Sequence, residues 1–513
     1  MKERATGSFV MGNYPKVAAA RYGDREAFYC ITTGKHRTYR EFNLRCNALG
    51  NGLLSLDVKK GDAVAFMSYN RVEIAETYFA LAKIGILGIP LNYRLSAGEI
   101  VELINFSEAE TFIFDPSFSD LVRGMKEKMP RVKRFICMGE AIPDFALSYE
   151  NLMAGSPRNE PDVEVSEEDN QYLNLTSGTT GIPKSYLLTH YNSAVAGPVM
   201  AAMHDVTSDD TILTVFPIFG RVGFAWTGIG LFAGARNVIL QFDLVKILEV
   251  IEQERITISN WVPTMASFIL TVPDLEKYDL SSLRALVFAA SPFPVSLQEQ
   301  VRERLCPNIY EFYGLQETGL LVNMGPEEKM RKPESVGTLY FGSDIRIVDA
   351  SGKDVPVGEV GEVIGRGVST TTGYYRNEEK TKEAFKDGWF HTGDLGRFDE
   401  EGFLYLSGRV KDMIISGGQN VFAVDVEDML MTHPAVGQCA VIGLPDETWG
   451  EMVAAVIVKS FGSEVTEEEI IAYSRDHIAH FKAPKKVFFA DSLPMTPTGK
   501  VTKFVLVEKY SKG

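Results

Sequence analysis

The chain predicts an α/β protein with helix-covered, mostly parallel sheets, and three observations carry that prediction. Short apolar runs alternate with amphipathic segments in the first third, the rhythm of βαβ units. Glycine then punctuates short apolar runs from about 335 to 370, the texture of a small antiparallel or barrel-like subdomain. The last hundred residues return to a compact α+β pattern. We therefore expect a large N-terminal domain over 1–410, with a barrel-like subdomain at 335–405, and a small α+β C-terminal domain over 411–513.

Taken in order, Ala63-Val64-Ala65-Phe66-Met67 is a buried-strand run. Helical spacing follows from Glu73 to Ile84 through Ile74, Tyr78, Leu81 and Ala82, and Gly85 stops it. Ile86 to Leu91 is the next strand. Ser96 with Glu99 three residues on is a capping box that opens a helix, and 111–115 is a further strand. Beyond 170 the strands are Gln171 to Leu175, Ser185 to Leu188, Ile256 to Asn260, Ala285 to Ala289 and Asn308 to Tyr313. In the last domain a helix covers Val424 to Met431. Strands cover 440–442 and 453–458, and an acidic-fronted helix starts after Thr466.

At 513 residues the chain has room for about three domains. Its 45% hydrophobic and 23% charged content is that of a soluble globular enzyme. A net charge of -16 argues against nucleic acid and against an anionic membrane surface. Any polyanionic substrate must then be met by local positive charge. Cys30, Cys46, Cys137, Cys306 and Cys439 form no C-x-x-C and read as reduced core thiols. No run is long and apolar enough to span a bilayer, and no signal peptide is legible at Met1 to Gly7, so a cytoplasmic location is expected.

Chemistry concentrates first in Thr176-Ser177-Gly178-Thr179-Thr180-Gly181-Ile182-Pro183-Lys184. Glycines admit backbone N–H groups close to a ligand, hydroxyls donate to anionic oxygens, and Lys184 adds charge. Pro183 stands where a Walker A loop needs glycine, and strands flank the loop on both sides. It reads as a phosphate loop of another kind, or, taken alone, as a polar surface turn. Tyr313-Gly314-Leu315-Gln316-Glu317-Thr318-Gly319 follows a strand. There Tyr313 could stack on a base, Gly314 lets a ligand pass close, Glu317 could hold Mg2+ beside phosphates, and Thr318 could donate to phosphate. Taken alone, this is equally a strand-end turn with a solvated glutamate at a helix start. Thr392-Gly393-Asp394 offers a carboxylate to ribose hydroxyls, or is merely a turn. Pro497-Thr498-Gly499-Lys500 presents a lysine from a rigid turn, or an exposed one. His391 reads as a packed histidine, and no spacing suggests a metal cluster.

In this order the motifs, with Gly408-Arg409-Val410-Lys411-Asp412, resemble the adenylate-forming superfamily of acyl-CoA synthetases, peptide-synthetase adenylation domains and luciferases. The resemblance runs from the first βαβ unit to Lys500. Ser416 to Asn420 and Asp446 to Glu451 are most similar to bacterial carboxylate–CoA ligases of aryl, alicyclic and crotonobetaine/carnitine types. The resemblance implies ATP and coenzyme A as substrates and Mg2+ as cofactor. It implies that Thr176, Ser177, Gly178, Thr179, Thr180 and Lys184 hold the β- and γ-phosphates, with Thr318 on phosphate and Glu317 on the metal. Tyr313 and the Ala289-Ala290-Ser291-Pro292 turn would flank adenine, Glu311, Phe312 and Gly314 would also line the nucleotide site, and Asp394 would take the ribose hydroxyls with Arg409 close by. Lys500 would act at the reacting carboxylate and α-phosphate. Lys411 would be the hinge of a mobile C-terminal domain, and Gly417, Gly418 and Gln419 would meet the pantetheine arm.

The implied activity is AMP-forming acyl-CoA synthesis through an acyl-adenylate. A ligase loading a carrier protein or another acceptor remains an alternative, and so does a non-catalytic nucleotide scaffold. The partners implied are small molecules, with a homodimer left open. Pro217-Ile218-Phe219-Gly220-Arg221-Val222-Gly223 is similar to the family's P-x-F-H-x-x-G, with Gly220 in place of histidine. Phe219, Gly220, Phe224, Trp226, Trp261, Ala290, Gly314 and Leu315 are the expected acyl pocket, suited to a compact apolar acid.

Overall fold

The computed structural model describes residues 9–175, 185–417, 419–446, 449–495 and 501–511. Four sheets make up the chain, and two of them are the mostly parallel sheets expected. The larger has nine strands in the order Thr338–Leu339, Gly319–Met324, Ile309–Leu315, Ala285–Phe288, Ile258–Trp261, Thr211–Thr214, Arg236–Ile239, Glu26–Cys30 and Lys35–Thr38. Its central six strands are parallel, with antiparallel strands at both ends. The second has seven strands and orders Leu147–Ser148, Arg134–Cys137, Thr111–Phe114, Ala63–Met67, Leu87–Pro90, Asn170–Leu175 and Ser185–Thr189. Only its last pair is antiparallel.

The glycine-rich region forms an antiparallel five-stranded sheet from Ser343–Val348, Gly361–Gly367, Phe385–Lys386, Trp389–Phe398 and Leu404–Arg409. Its strand Leu404–Arg409 also bridges outward, Leu404 pairing with Gly337 just before the Thr338–Leu339 strand of the nine-stranded sheet. The C-terminal unit is a second five-stranded sheet with helices Ala423–Leu430 and Glu467–His477. Thr466 and Glu469 form a reciprocal capping box at the second helix, so the acidic run there serves the helix start.

One helix joins the two large sheets. Val72–Lys83 is buried at all 12 positions, and its Phe79 and Ile74 share a core with Phe28 of the nine-stranded sheet and Phe66 of the seven-stranded one. A helix enclosed on every side is normally apolar all round, yet this one carries Glu73, Glu76 and Lys83. Each is paired. Glu73 accepts from Arg71 at 2.9 and 3.0 Å and from Lys35 at 2.6 Å. Glu76 accepts from Arg37 at 2.9 Å and Arg45 at 2.6 Å, and Lys83 donates to Glu160 at 2.6 Å. The network ties the Lys35–Thr38 strand and the Tyr39–Ser55 helix to the joining helix.

Burial pushes the Glu73 carboxyl up, but the Arg71 guanidinium and the Lys35 ammonium outweigh it and hold it at about 2, against an ordinary 4.5. A carboxyl depressed in the folded state stabilises above its unfolded value and loses that contribution as pH falls. We expect the urea midpoint to drop as pH falls from 4.5 towards about 2. Glu73→Gln, which leaves Arg71 and Lys35 without their anion, should cost about 3–5 kcal/mol at neutral pH and flatten that drop. An unchanged midpoint in the variant would mean the network contributes nothing.

Candidate active site

Two neighbouring parallel strands, Ala285–Phe288 and Ile309–Leu315, end side by side. Crevices outside the carboxyl ends of parallel strands are where α/β sheets bind ligands. The first strand runs into the Ala289 to Pro292 turn, where exposed Ala290 takes φ +75°. A left-handed alanine costs about 1–2 kcal/mol, and such strain gathers at binding sites.

The second strand turns back as a hairpin with Gly319–Met324. A Cβ on Gly314 would lie 1.8 Å from the Gly319 carbonyl oxygen. The close approach that requires glycine is therefore to its own hairpin, where a passing ligand was expected. Thr318 is fully buried, and its hydroxyl accepts from the Leu315 N–H at 3.0 Å and donates to the Gly319 carbonyl at 2.9 Å. That hydroxyl braces the turn, in contrast to the phosphate contact expected of it.

Glu317 sits in this turn, 8% exposed, neither at a helix start nor solvated. The Tyr374 hydroxyl donates to its Oε1 at 2.9 Å, and Thr371 N–H donates to its carbonyl at 2.7 Å. Burial and the Glu317 charge both raise the Tyr374 phenol, so it stays a donor. The Arg221 guanidinium donates to the Gln316 and Ser369 carbonyls. Tyr186 donates to Gln316 Oε1 at 2.9 Å and pairs with Tyr374 through the backbone, and Tyr375 N–H donates to the Ser185 carbonyl at 2.7 Å. Leu175 and Ser185 are directly paired, so both ends of the 176–184 loop are anchored and its exit lies against the segment that holds Glu317. Thr176, Ser177, Gly178, Thr179, Thr180 and Lys184 themselves lie outside the described residues, as do Gly418 and Lys500.

Asp394 completes the arrangement from the antiparallel sheet. Its Oδ2 accepts from the Tyr313 hydroxyl at 2.7 Å and its Oδ1 from Arg409 Nε at 2.8 Å. Asp394 and Arg409 are register partners on adjacent strands. A carboxylate offers about four acceptor positions, so capacity for hydroxyl donors remains. Tyr313 is 9% exposed and packs with Val322 and Ile345. The stacking face expected of it is largely covered, and its visible work is to fix Asp394. Burial, opposed by the Lys329 ammonium, raises the Glu311 carboxyl, and both side chains are enclosed as an ion pair. The Glu311 side chain is thus taken up in the interior, away from the nucleotide role expected of it. Phe312 packs beside the His204 ring.

The expected acyl pocket divides. Phe224 stacks on Tyr78 with ring centroids 3.9 Å apart, Trp226 packs against His204, and Trp261 donates to Ser259 at 2.9 Å inside the core. All three are packed interior rather than open wall. Phe219 is also buried, packed against Tyr93, while Gly220, Ala290 and Leu315 are at least partly exposed. In the C-terminal unit, Gly417 takes φ +58° and a Cβ there would lie 2.8 Å from the Trp449 ring. Lys485 stands 4.6 Å over that ring. Gln419 is exposed, and Lys411 is exposed in the Val410–Asp412 turn between two strands. His391 pairs with Glu362 at 2.8 Å, as a packed histidine does. Sequence reasoning missed Tyr374 and Arg221. The Gly373-Tyr374-Tyr375 run carried no spacing that pointed to Glu317.

Mostly parallel sheets, with one buried carboxylate in the turn after a parallel strand and a second held by Tyr313 and Arg409, define an α/β protein with a candidate ligand crevice at its strand ends. The chain belongs to the AMP-binding enzyme family. The family model matches residues 16–375, and the model of the family's C-terminal domain matches 425–500. A long-chain-fatty-acid–CoA ligase, FadD13, of Mycobacterium tuberculosis is 34% identical, with 95% of each chain covered. A feruloyl-CoA synthase of Amycolatopsis sp is also 34% identical over 95% of each. The crystal structure of the anthranilate CoA ligase AuaEII in complex with anthranoyl-AMP superposes with a TM-score of 0.91 at 26% identity, covering 98% of this chain and 97% of that one.

Gly314→Ala places a methyl group where the Gly319 carbonyl stands. It should cost about 1–3 kcal/mol or more and displace Glu317, read as a lower thermal midpoint together with weaker ATP binding by calorimetry. A variant normal in both would show that the hairpin does not require glycine.

Proposed function

We propose that the protein is an AMP-forming acid–CoA ligase acting on a compact carboxylic acid. The single observation that carries this reading is Glu317, held by the Tyr374 hydroxyl, with Tyr374 paired to Tyr186 just after the exit of the 176–184 loop. The relatives described above are CoA ligases, and one structural neighbour holds an acyl-adenylate.

The chemistry requires two anions to meet. A carboxylate oxygen attacks the α-phosphorus of ATP, the bond to the bridging oxygen breaks, and pyrophosphate leaves. A thiol then attacks the acyl carbon and AMP departs. Thr176, Ser177, Thr179, Thr180 and Lys184 would hold the departing pyrophosphate, and Lys500 would offset charge between the acid and the α-phosphate. Asp394 and Arg409 would orient the ribose, and the Ala290 turn would lie along adenine. Glu317 fits Mg2+ as a single buried carboxylate shared with phosphate oxygens. Among the described residues no group of three or more ligands forms a self-contained metal site. The ion would supply neutralising charge on the phosphates. Rotation about Lys411 would exchange Lys500 for the Gly417, Gly418 and Gln419 face, where Trp449 supplies a partly exposed ring for the pantetheine arm. Thioester formation and ATP-to-AMP cleavage are close in free energy, so pyrophosphate sets the direction. The free cysteines, four of the five buried, suit a reducing compartment.

Carboxylate-dependent exchange of labelled pyrophosphate into ATP tests the first half-reaction, and product analysis with CoA as sole thiol tests the second. No exchange across a panel of acids would end this reading. Lys500→Ala should stop adenylation yet spare thioester formation from supplied acyl-AMP, whereas an equal loss in both halves would remove its assigned role. Tyr374→Phe deletes only the hydroxyl on Glu317. It should weaken the apparent Mg2+ affinity about 10–100-fold, read by titrating the metal at saturating ATP, and an unchanged metal dependence would contradict the coupling.

A further inference from the structure

Among the described residues, Arg221 is a charged side chain that forms no ion pair. It opens the helix Arg221–Ala233, whose N-cap is Gly220, with no capping side chain and no acid in the first turn. Its two hydrogen bonds both go to neutral main-chain carbonyls, those of Gln316 and Ser369. Among the described residues no carboxylate forms an ion pair with it. A guanidinium carries five N–H donors, so most of its capacity is unspent although the residue is only partly exposed. Enclosed charges are ordinarily paired.

Three neutral phenols lie around it, and Glu317, beside Gln316, acts on one of them. The phenols of Tyr172, Tyr186 and Tyr340 all feel the Arg221 charge, and burial raises each of them. Tyr340 is 8% exposed, lies against Ser369, and its hydroxyl makes no hydrogen bond of normal geometry. Burial raises it to about 12, so it is a donor. A cation, an unspent phenol donor and an uncapped helix start are three features that suit an anion.

Space exists beside them. A Cβ on Gly223 would come within 2.3 Å of the Pro217 carbonyl oxygen, so the backbone demands glycine there. A Cβ on Gly220 would meet only that oxygen, at 3.4 Å, an ordinary contact. Glycine at 220 therefore answers no backbone need, and what it contributes is room. That room lies next to Arg221, and Arg221 bonds to the residue preceding Glu317.

We propose that Arg221 receives a second carboxylate on the acid substrate, with the Tyr340 hydroxyl as a further donor, so that the preferred acid is a short dicarboxylic acid. This rests on the ligase reading and replaces its apolar acid with one that is compact and doubly charged. The second carboxylate supplies the missing counter-charge, while the first remains free to attack ATP.

The test compares acids in matched pairs, succinate with butyrate, glutarate with valerate and phthalate with benzoate, by pyrophosphate release. In wild type the dicarboxylate should lead in kcat/KM by about 10–100-fold in at least one pair. Arg221→Met should abolish that lead, and Arg221→Lys, which keeps the charge and one donor direction, should retain part of it. A lead for the monocarboxylate in every pair would overturn the proposal. So would an equal fall for both members of each pair in Arg221→Met, which would make Arg221 a clamp on the Glu317 turn. A higher KM for ATP that is the same with every acid would assign the anion to the nucleotide and overturn it too. Calorimetric binding of the same acids to wild type and Arg221→Met separates the two readings. If nothing turns over, the ligase reading fails. If dicarboxylates also bind no better than their partners, the Arg221 site fails as well.

Discussion

One buried carboxylate sets the geometry of the whole candidate site. Glu317 can serve a triphosphate only if it is held still, and burying it unpaired would be costly. Its stabilisation comes from neutral donors, with the Tyr374 hydroxyl on its side chain and the Thr371 N–H on its main chain. Neutral donors leave the full negative charge available to a cation. Tyr374 in turn is fixed by pairing with the strand that leaves the 176–184 loop. The Ser185–Thr189 strand, the 371–375 segment and the Glu317 carboxylate are thus one coupled arrangement.

The joining helix Val72–Lys83 plays a comparable part on a larger scale. Two mostly parallel sheets must share one interior, and the element between them faces protein on all sides. Charges there would be unfavourable without partners; Arg71, which immediately precedes the helix, pairs with Glu73, and Lys35, Arg37 and Arg45 reach Glu73 and Glu76 from the Lys35–Thr38 strand and the Tyr39–Ser55 helix. Such a network favours one docking of strand and helix over others, because any slip would strand a charge.

Much of the fold was legible. The capping box at Ser96, the helix through Ile74 and Tyr78, and the runs at Ala63 to Met67 and Ala285 to Ala289 all became the elements they suggested. Local propensity and hydrophobic period act within a few residues, so they show in a linear reading. The glycine-rich region showed its antiparallel character for the same reason, but not its bridge from Leu404 to Gly337, which joins residues far apart in the chain. Roles were less legible than elements. Phe224, Trp226 and Trp261 looked like pocket walls because aromatics suit both pockets and cores, and only packing separates the two. Thr318 and Glu311 were placed correctly along the chain, yet their side chains turned to the hairpin and to Lys329.

By itself the sequence determined the order of elements, the motif order that marks the family, and the residue types able to handle phosphate, ribose and a carboxylic acid. These are properties of neighbours along the chain. Tertiary structure alone decided that Tyr374 holds Glu317, that Tyr313 and Arg409 share Asp394, and that Arg221 donates to the Gln316 and Ser369 carbonyls. Those contacts join residues tens to hundreds of positions apart. Hydrogen bonds and ion pairs depend on distance and angle in space, which no local pattern in the chain encodes.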